Sequence, residues 1–335
     1  MSASARPVLV TGAGGFLGGY VVRELRAHHI PVLASGRNAD ALARVAAPEE
    51  TLVSSLAELP DAASEVDAVV HCAALSSPWG RPRDFITANV EGTAAALRFA
   101  EKSGARRFVF VSSPSVYAAA RDRIGIREEE VDPGNRLNDY IRSKLAAEAL
   151  LREAQRTGRI RELVILRPRG LIGAGDPSLV PRLLAVHRRI GVPLFDDGRN
   201  LVDVTAVENV ASALRLALSE GDPAGGVYNI SNGEPRPFRE LLEGLLYRLG
   251  ETARFRRLSR RGAWTLAAAL EGICRVLPAR PEPPLTRYTL STIAYAQTLD
   301  ISRARAELGY APEVSLDDAL DRAVADLLAR TDTVA

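Results

Sequence analysis

Short apolar runs alternate with longer amphipathic segments over the first half of the chain, and this alternation limits the possible folds more than any other feature. We interpret the runs as strands and the segments as helices. Strands separated by helices pair in parallel, and these runs lack polar alternation, so the pattern predicts an α/β fold with a doubly wound parallel sheet buried on both faces. The predicted strands are Val8–Val10, Val32–Ser35, Thr51–Val53, Ala68–Cys72, Phe108–Ser112 and Leu163–Arg167. The clearest predicted helices are Phe16–Ala27, Asp84–Ser103 and Asp139–Arg156.

The rhythm changes after about residue 168, where Pro and Gly become frequent. We therefore predict a first region over residues 1–168, to which parts of residues 195–230 return, and a smaller, mostly helical region over residues 169–335. The second region contains an apolar helix, Ala263–Leu277, which is shorter than a membrane span. A last helix is predicted at Leu316–Ala329.

The composition of the 335 residues excludes several classes of protein. Lys and Arg total 43 against 41 for Asp and Glu, so a formal net charge of +2 offers no footprint for nucleic acid or an anionic membrane. Two cysteines, Cys72 and Cys274, are too few for a disulfide scaffold or a four-thiolate zinc site, and the four histidines show no ligand spacing, so we expect no metal. No run is long enough to span a bilayer, and the first residues, MSASARP, show no signal peptide. We expect a cytoplasmic protein.

A glycine-rich turn, Thr11-Gly12-Ala13-Gly14-Gly15-Phe16-Leu17-Gly18, connects the first predicted strand to the first predicted helix. The glycines at 12, 15 and 18 allow a tight turn, a close approach of backbone amides to an anion, and packing of the helix on the sheet. The helix N-terminus adds unpaired N–H groups and the positive end of a dipole, which suit a pyrophosphate. In this position the motif predicts a Rossmann-type dinucleotide-binding region. A tight turn without a ligand is the alternative.

The end of the second predicted strand bears on the choice of dinucleotide. An Asp or Glu there accepts hydrogen bonds from the adenosine ribose and repels a 2′-phosphate. This chain has Gly36 at that position, followed by Arg37, whose planar guanidinium can pair with a phosphate dianion. We therefore favour NADP(H) over NAD(H). A solvated arginine at a strand end is the alternative interpretation.

Tyr140 and Lys144 lie four residues apart and therefore on one face of a predicted helix. Only two of the 43 basic residues are lysines, so a lysine retained at this spacing suggests that the compact ammonium itself is needed. We expect the nearby cation to favour the phenolate and lower the pKa of Tyr140. The phenol could then exchange a proton with a carbonyl or alcohol oxygen as a hydride moves. An exposed tyrosine beside a solvated lysine is the alternative.

Three serines follow the fifth predicted strand in the segment Val111-Ser112-Ser113-Pro114-Ser115-Val116-Tyr117. Ligands of α/β proteins bind at the carboxyl ends of the strands, so one of these hydroxyls could hold the substrate oxygen. Spacing alone does not choose among the three. Pro114 removes a backbone donor and predicts a sharp departure from the strand.

Together these features resemble the extended short-chain dehydrogenase/reductase superfamily over essentially the whole chain. The matching segments are TGAGGFLG, DAVVHCAA, NVEGT, VSSPSVY, YIRSK and LRPRGLIGAGD. The resemblance implies that Ser113 is the catalytic serine and that Tyr140 and Lys144 complete the triad. It also implies cofactor contacts along these segments, with serine hydroxyls or backbone near the adenine where relatives place an acidic residue. The predicted cofactor-binding residues are Gly12, Gly15, Phe16, Leu17, Gly18, Arg37, Asn38, Ser55, Leu56, His71, Ala73, Ala74, Asn89, Tyr140, Lys144 and Pro168.

The C-terminal half determines the substrate in this superfamily. Members that bind nucleotide sugars usually hold the diphosphate with an Arg before an Asp, but Val202 precedes Asp203 here, which favours an apolar substrate. The segments ISNGEPRPFRELL, PEPPLTRY and RARAELGYAP resemble the 3β-hydroxysteroid dehydrogenase-like branch and, within it, the bacterial 2-alkyl-3-oxoalkanoate reductases of olefin biosynthesis. The resemblance implies an oxidoreductase that interconverts a ketone and a secondary alcohol on a hydrophobic substrate such as a β-keto acid or a 3-ketosteroid.

Several alternatives stay open. The chain could be an NAD-dependent nucleotide-sugar epimerase or dehydratase, or a non-catalytic NADP(H)-binding sensor, although sensors often lose the Tyr or the Lys. The helix Ala263–Leu277 either lines an apolar pocket or is a core or dimer-contact helix. The arginines at 254, 256, 257, 260 and 261 either meet a substrate carboxylate or form a solvated basic face. Dimers are frequent in the family, so a homodimer is a further open expectation.

Overall fold

The structure is a computed structural model that describes residues 6–332. Residues 1–5 and 333–335 are not described, so most of the segment on which the signal-peptide expectation rests lies outside the described residues. No helix within the described range is long and apolar enough to cross a membrane.

The strands of the described range alternate with helices along the chain. The strands are β1 Val8–Thr11, β2 Val32–Gly36, β3 Thr51–Val53, β4 Ala68–His71, β5 Arg107–Val111, β6 Arg123–Ile126, β7 Glu162–Pro168, β8 Leu171–Ile172, β9 Val192–Leu194, β10 Leu201–Val202, β11 Thr205–Ala206, β12 Ala224–Ile230, β13 Arg236–Pro237, β14 Phe255–Arg257 and β15 Gln297–Leu299. The helices are α1 Phe16–Ala27, α2 Ala39–Ala43, α3 Pro82–Phe85, α4 Gly92–Lys102, α5 Asp139–Arg156, α6 Leu179–Ile190, α7 Val207–Leu216, α8 Phe238–Arg248, α9 Arg260–Val276, α10 Arg287–Ile293, α11 Ser302–Leu308 and α12 Leu316–Asp332. Single 3₁₀ turns lie at Pro48–Glu50, Leu59–Ala62, Pro114–Tyr117 and Asp196–Gly198.

A seven-stranded parallel sheet forms the centre of the fold, in the order β12-β7-β5-β4-β1-β2-β3. The predicted fold class is confirmed, and each of the six predicted strands is present with its ends within one residue of the predicted ones. The seventh strand, β12, comes from the segment predicted to return from beyond residue 168. Smaller sheets of two to four strands lie in the rest of the chain.

Helices cover both faces of the main sheet, as its continuous apolar strands require. On one face, α1, α7 and α11 contribute to a buried cluster with Val8, Val10 and Val70 of the sheet. On the other face, α4 and α5 pack against Leu9, Val69 and other strand residues. A separate cluster beyond residue 171 joins α6, α8 and α12 and forms the core of the C-terminal region.

Of the three clearest predicted helices, one differs from its prediction, and the later helices α9 and α12 differ by up to three residues at their ends. The segment predicted as a single helix, Asp84–Ser103, begins two residues earlier at Pro82 and is divided by a π-helical segment, Ile86–Glu91, before it ends at Lys102. Proline is favoured in the first turn of a helix because the missing N–H has no partner there. A π segment adds a residue to the turn without changing the apolar pattern much, so the sequence period does not reveal it. The other clear helices, α1 and α5, have the predicted bounds.

Helix α5 is anchored to the sheet by a buried ion pair. Glu148 of α5 is fully buried and accepts hydrogen bonds from Arg167 of β7, at 2.9 Å to Nε and 2.6 Å to Nη2. Ser112, directly after β5, donates to the same carboxylate at 2.5 Å. Arg167 and Ser112 hold the carboxylate in its ionised form, so the pKa of Glu148 is lowered although burial acts to raise it. The interaction fixes the helix against two neighbouring strands.

We expect Glu148→Ala to lower the free energy of unfolding by about 3–5 kcal/mol, because it leaves the guanidinium of Arg167 buried without its partner. Urea unfolding followed by circular dichroism measures the change. Glu153→Ala is the matched control, since this exposed residue of the same helix pairs with Arg156 at the surface and should change stability little. Equal urea midpoints for the two variants would contradict the assignment.

Candidate active site

A cleft of about 2120 Å³ runs from the carboxyl ends of the central strands into the C-terminal region. The sheet order places β1 beside β4, where the chain changes from one side of the sheet to the other. Ligands of doubly wound sheets bind at this switch point because the loops after the two strands separate there. The cleft therefore lies where the topology predicts it.

Most of the predicted site residues lie along this cleft. The structure places in its lining Gly12, Gly15, Phe16, Leu17, Gly18, Arg37, Asn38, Ser55, Leu56, Ala73, Ala74, Ser113, Tyr140, Lys144 and Pro168. They come from the ends of six neighbouring strands and from the first turns of α1 and α5. Their assembly follows from the parallel sheet, which brings all its carboxyl ends to one edge.

His71 and Asn89, which were predicted as cofactor-binding residues, do not belong to the lining. His71 is buried at the end of β4, between the hydroxyls of Thr11 at 2.7 Å and Thr93 at 3.1 Å. Burial lowers the pKa of His71 to about 3, so the imidazole is neutral near pH 7. Asn89 lies in the π segment and holds the loop after β4 in place, accepting from the Leu75 amide at 2.7 Å and donating to the Leu75 carbonyl at 3.0 Å. Both side chains lie outside the lining and hydrogen-bond to segments that form the wall of the cleft.

The turn between β1 and α1 is shaped by two glycines. Gly12 has a φ of +69°, and a Cβ there would lie 2.9 Å from the backbone of Ala73. A Cβ on Gly18 would lie 2.1 Å from the carbonyl oxygen of Gly12. No side chain caps the first turn of α1, whose N-cap residue is Gly15. The first amides of the helix therefore face the cleft without a protein acceptor.

The lining beside β2 and β3 is cationic and hydroxylic. Arg37 is exposed, and its guanidinium has no ion-pair partner among the described residues. Asn38 caps α2 by accepting a hydrogen bond from the Ala41 amide at 3.0 Å. The hydroxyl of Ser55 donates to Glu58 at 2.7 Å. Glu58 is an acidic residue after β3 that the sequence analysis did not single out.

Tyr140 and Lys144 lie in the first two turns of α5, which Asn138 caps by accepting from the Ile141 amide at 2.8 Å. Both side chains are buried. Burial raises the pKa of Tyr140, and the hydroxyls of Ser113 and Ser76 act in the opposite direction. Burial lowers the pKa of Lys144 to about 8, and its ammonium donates to the Val111 carbonyl at 2.9 Å. The expected lowering of the Tyr140 pKa by Lys144 is therefore wrong for this structure, because desolvation of the phenolate is the largest effect and raises the pKa.

The three serines after β5 have different environments. Ser112 donates to Glu148 and is part of the buried anchor. Ser113 lies next to Tyr140, and its hydroxyl also accepts from the Ser115 amide at 3.2 Å. Ser115 Oγ is buried without a hydrogen-bond partner and lies next to the phenol of Tyr288. Of the three, Ser113 is placed to share a ligand oxygen with Tyr140.

The C-terminal region supplies the rest of the lining, and several of its polar members were not foreseen. Arg169 and Asp203 are buried in the cleft wall, Tyr288 is half-buried there, and none of the three was assigned a role from the sequence. The position of Arg169 directly after the carboxyl end of β7 could have identified it as a ligand-binding residue, because ligands of parallel sheets bind at those ends. Burial raises the pKa of Asp203 to about 6 and also raises that of Tyr288.

Two open alternatives about the C-terminal region can be examined in the structure. In α9, Leu266 and Leu270 line the cleft, whereas Ile273 and Val276 are exposed to solvent. The helix therefore forms part of the pocket wall. In the basic segment, Arg256 reaches the cleft, and the other four arginines of the run are absent from its lining. Arg257 and Arg260 pair instead with surface carboxylates.

Comparison with known proteins identifies the family. The profile of the NAD dependent epimerase/dehydratase family matches residues 8–231. The chain belongs to this family. The expected resemblance to extended short-chain dehydrogenases/reductases is confirmed, and the chain is thus an NAD(P)-dependent oxidoreductase.

Three curated relatives match this enzyme over nearly its whole length. An uncharacterized protein, YbjS, of Escherichia coli is 35% identical, covering 95% of this chain and 96% of its own. A 2-alkyl-3-oxoalkanoate reductase of Stenotrophomonas maltophilia is also 35% identical, covering 94% and 97%. A 4-hydroxy-2-methyl-3-oxo-4-farnesyl-3,4-dihydroquinoline-1-oxide ketoreductase of Stigmatella aurantiaca is 31% identical, covering 93% and 94%.

Solved structures of the same fold are also similar to the enzyme. The crystal structure of gox2253 superposes with a TM-score of 0.80 at 24% identity, covering 97% of this chain and 98% of the other. MoeE5 in complex with UDP-glucuronic acid and NAD gives a TM-score of 0.74 at 25% identity, covering 97% and 99%. These likenesses agree with the seven-stranded sheet and its flanking helices.

The residues along the cleft fit a nicotinamide dinucleotide. The uncapped first turn of α1 and the close turn at Gly12 suit a pyrophosphate, which needs free amides and room for the backbone to approach. Arg37 offers a cation without a protein partner at the adenosine end of the lining. Lys144 donates one hydrogen bond to protein, which leaves two ammonium protons for a ligand. An NAD(P)-type cofactor is therefore consistent with both the family and the side chains.

Proposed function

We propose that this enzyme is an NADP(H)-dependent reductase that converts the ketone of a hydrophobic β-keto acid into a secondary alcohol. Two curated relatives are named as a 2-alkyl-3-oxoalkanoate reductase and a farnesylated quinoline-oxide ketoreductase, and both names describe reduction of a ketone on a long apolar molecule. A sterol-4-alpha-carboxylate 3-dehydrogenase of Candida albicans, 28% identical, connects the same branch to apolar acids. These similarities support the substrate class.

The observation that carries the proposal is the position of Tyr140 between two chemically different halves of one cleft. The half beside β1 and β2 has glycine amides and a free arginine, which suit a dinucleotide. The half beyond β7 is lined mainly by apolar side chains, which suit an alkyl chain, and includes Arg169 and Tyr288 as polar members. Its apolar lining includes Leu171, Val202, Val204, Phe238, Leu241, Leu266, Leu270, Leu285 and Ile293. The phenol is thus placed where a ketone in the apolar half would meet the cofactor half.

The side chains around the phenol support proton donation. Burial raises the pKa of Tyr140, so the phenol keeps its proton near neutral pH and can donate it to a carbonyl oxygen. Ser113 can donate a second hydrogen bond to that oxygen and disperse its developing charge. The reduced nicotinamide, when bound, supplies the hydride. The phenolate that remains after proton transfer is stabilised by the nearby hydroxyls and regains a proton from solvent.

The preference for NADP(H) is also part of the proposal. Neither Gly36 nor Arg37 can accept a hydrogen bond from the ribose as a carboxylate would, and a free guanidinium attracts a phosphate dianion. Arg37 is the group that we expect to hold the 2′-phosphate. Asn38 is occupied as the cap of α2 but keeps its amide protons for a ligand.

Nucleotide-sugar chemistry is the main competing outcome. Val202 is buried in the cleft lining at the position where the sequence comparison expects a diphosphate-binding arginine. A screen at 340 nm separates the two functions by offering NADPH or NADH with β-keto acids, 3-ketosteroids and aromatic ketones. Turnover of β-keto acids supports the proposal. Tightly bound NAD in the purified protein together with UDP-sugar binding would replace it with an epimerase or dehydratase.

We expect Tyr140→Phe to lower kcat for ketone reduction by about 100- to 10,000-fold, because it removes the proton donor and little else. The dissociation constant for NADPH, measured by fluorescence titration, should stay within about twofold. Tyr247→Phe serves as the control, since Tyr247 is 85% exposed on α8 and is not part of the cleft. Near-normal turnover in Tyr140→Phe would remove the phenol from the mechanism.

We expect Arg37→Ala to raise KM for NADPH by about 10- to 100-fold and to leave KM for NADH nearly unchanged, because only NADPH carries the 2′-phosphate that a charge-assisted pair would hold. Arg44→Ala removes the same charge from an exposed arginine outside the cleft and should affect neither constant. Equal changes for both cofactors in Arg37→Ala would argue for a general role of Arg37 in folding or steering.

The pH dependence of kcat/KM for NADPH should report Lys144 in the free enzyme. The ammonium is the required form and its pKa is lowered to about 8, so kcat/KM should be constant below that value and fall as the pH rises through it. The raised pKa of Tyr140 places loss of the phenol proton at higher pH, and neutral His71 adds no limb near pH 6.5. A profile that stays flat beyond about pH 10 would show that the charge of Lys144 is not needed.

A further inference from the structure

Arg169 is a buried arginine without a protein partner. It follows β7 directly, lines the cleft and is 8% exposed. Among the side chains of residues 6–330, no carboxylate forms an ion pair with its guanidinium and no side-chain hydrogen bond engages it. Every other arginine buried to this extent in the described chain, Arg107 and Arg167, is paired with a glutamate. An unpaired buried cation is costly, so folding alone does not explain this residue.

The backbone around Arg169 is held firmly, so the orientation of its side chain is built into the fold. Its amide donates to the Ile230 carbonyl at 2.9 Å, which continues the pairing of β7 with β12. Its carbonyl accepts from the hydroxyl of Thr205. The next residue, Gly170, accepts from the Thr205 amide at 2.9 Å. These bonds use the backbone and leave the guanidinium free.

The phenol of Tyr288 lies near this guanidinium, and the hydroxyl of Ser115 lies next to that phenol. Tyr288 of α10 interacts electrostatically with both Arg169 and Tyr140, and burial keeps its phenol protonated by raising its pKa. Ser115 Oγ lies beside that phenol and is buried with no hydrogen-bond partner. Asp203 is the carboxylate that acts electrostatically on Arg169. It accepts a hydrogen bond from the Leu299 amide at 2.6 Å and makes no ion pair with Arg169. A cation with two neutral donors forms a site for an anion.

The site lies in the substrate half of the cleft. The glycine-rich turn follows β1, and β1 is separated from β7 by β4 and β5. Three strand spacings of about 4.8 Å amount to about 14 Å, which is more than an arginine side chain can span. Arg169 is therefore too far from the turn to serve a pyrophosphate held there. Tyr288 interacts electrostatically with both Arg169 and Tyr140, so Arg169 lies near the proposed proton donor.

We propose that Arg169 binds the carboxylate of the substrate, with Tyr288 and Ser115 as additional hydrogen-bond donors. This inference rests on the proposed reductase function. In a β-keto acid the carboxylate is attached to the carbon next to the ketone, so the groups that hold the two must lie at the same end of the cleft. The single positive charge of the guanidinium balances the single negative charge of a carboxylate. The apolar side chains of Leu171, Val202 and Val204 leave the alkyl part of the substrate in contact with hydrocarbon.

The test compares one substrate with and without its charge. A 2-alkyl-3-oxoalkanoate and its methyl ester are assayed with NADPH, using wild type, Arg169→Met and Arg169→Lys. We expect Arg169→Met to raise KM for the acid by about 10- to 100-fold and to leave the ester unchanged or improved, because only the acid loses an ion pair. Arg169→Lys should recover part of the affinity for the acid.

A matched control and two further measurements separate this role from others. Arg188→Gln removes an exposed arginine outside the lining, which pairs with Glu251 at 2.6 Å, and should discriminate little between acid and ester. Binding of a 2-alkyl fatty acid, which has no ketone, should weaken in Arg169→Met by calorimetry. Thermal unfolding of Arg169→Met should occur at an equal or higher temperature, because the variant removes a desolvated charge.

The outcomes distinguish the inference from the function on which it rests. If wild type reduces neither acid nor ester, the proposed function fails. If wild type reduces both and Arg169→Met affects them equally, the carboxylate site is wrong while the reductase stands. A 10-fold weaker affinity for NADPH in Arg169→Met would assign Arg169 to the cofactor, and loss of UDP binding would assign it to a nucleotide diphosphate.

Discussion

The buried carboxylate of Glu148 holds together the three segments that carry the candidate site. It receives hydrogen bonds from Ser112 after β5 and from Arg167 of β7, while its own helix carries Lys144 one turn earlier and Tyr140 one turn before that. Ser113 follows one of these partners and Arg169 lies two residues after the other. A buried, ionised pair with several hydrogen bonds tolerates little displacement, because each lost contact leaves a desolvated charge. This network therefore helps to fix the position of Tyr140, the proposed proton donor, relative to both strands.

Strand β7 contains Arg167, and Arg169 follows directly after the strand. The two arginines have opposite electrostatic environments. Arg167 is compensated by Glu148 and also donates to the phenol of Tyr117 and the carbonyl of Glu128. Arg169 has a buried guanidinium and no such partner among the described residues. The first arrangement serves the folded state by itself. The unpaired guanidinium of Arg169 lowers the stability of the folded state until a ligand supplies a negative charge. This is the pattern expected of a preorganised binding site.

Much of the fold could be predicted because its signals are local. Apolar runs without polar alternation, the glycine-rich turn and the cap at Asn138 each depend on neighbouring residues, and parallel pairing then brings the strand ends together. The π segment at Ile86–Glu91 could not be predicted, since one extra residue in a turn barely alters the apolar period. The grouping of Arg169 with Tyr288 could not be predicted either. Tyr288 comes from α10, and only tertiary packing of the C-terminal region places it against the end of β7.

The acidity of Tyr140 shows why site chemistry is harder to read than site position. The sequence places an ammonium one turn from the phenol, and a cation at that distance in water would lower the phenol pKa. In the folded chain both groups are buried, so desolvation raises the pKa of Tyr140 and lowers that of Lys144. Reduction of a ketone needs a protonated phenol at the start, whereas oxidation of an alcohol needs the phenolate. The phenol is therefore protonated at neutral pH, and burial extends the pH range over which the donor form required by the proposed reduction persists.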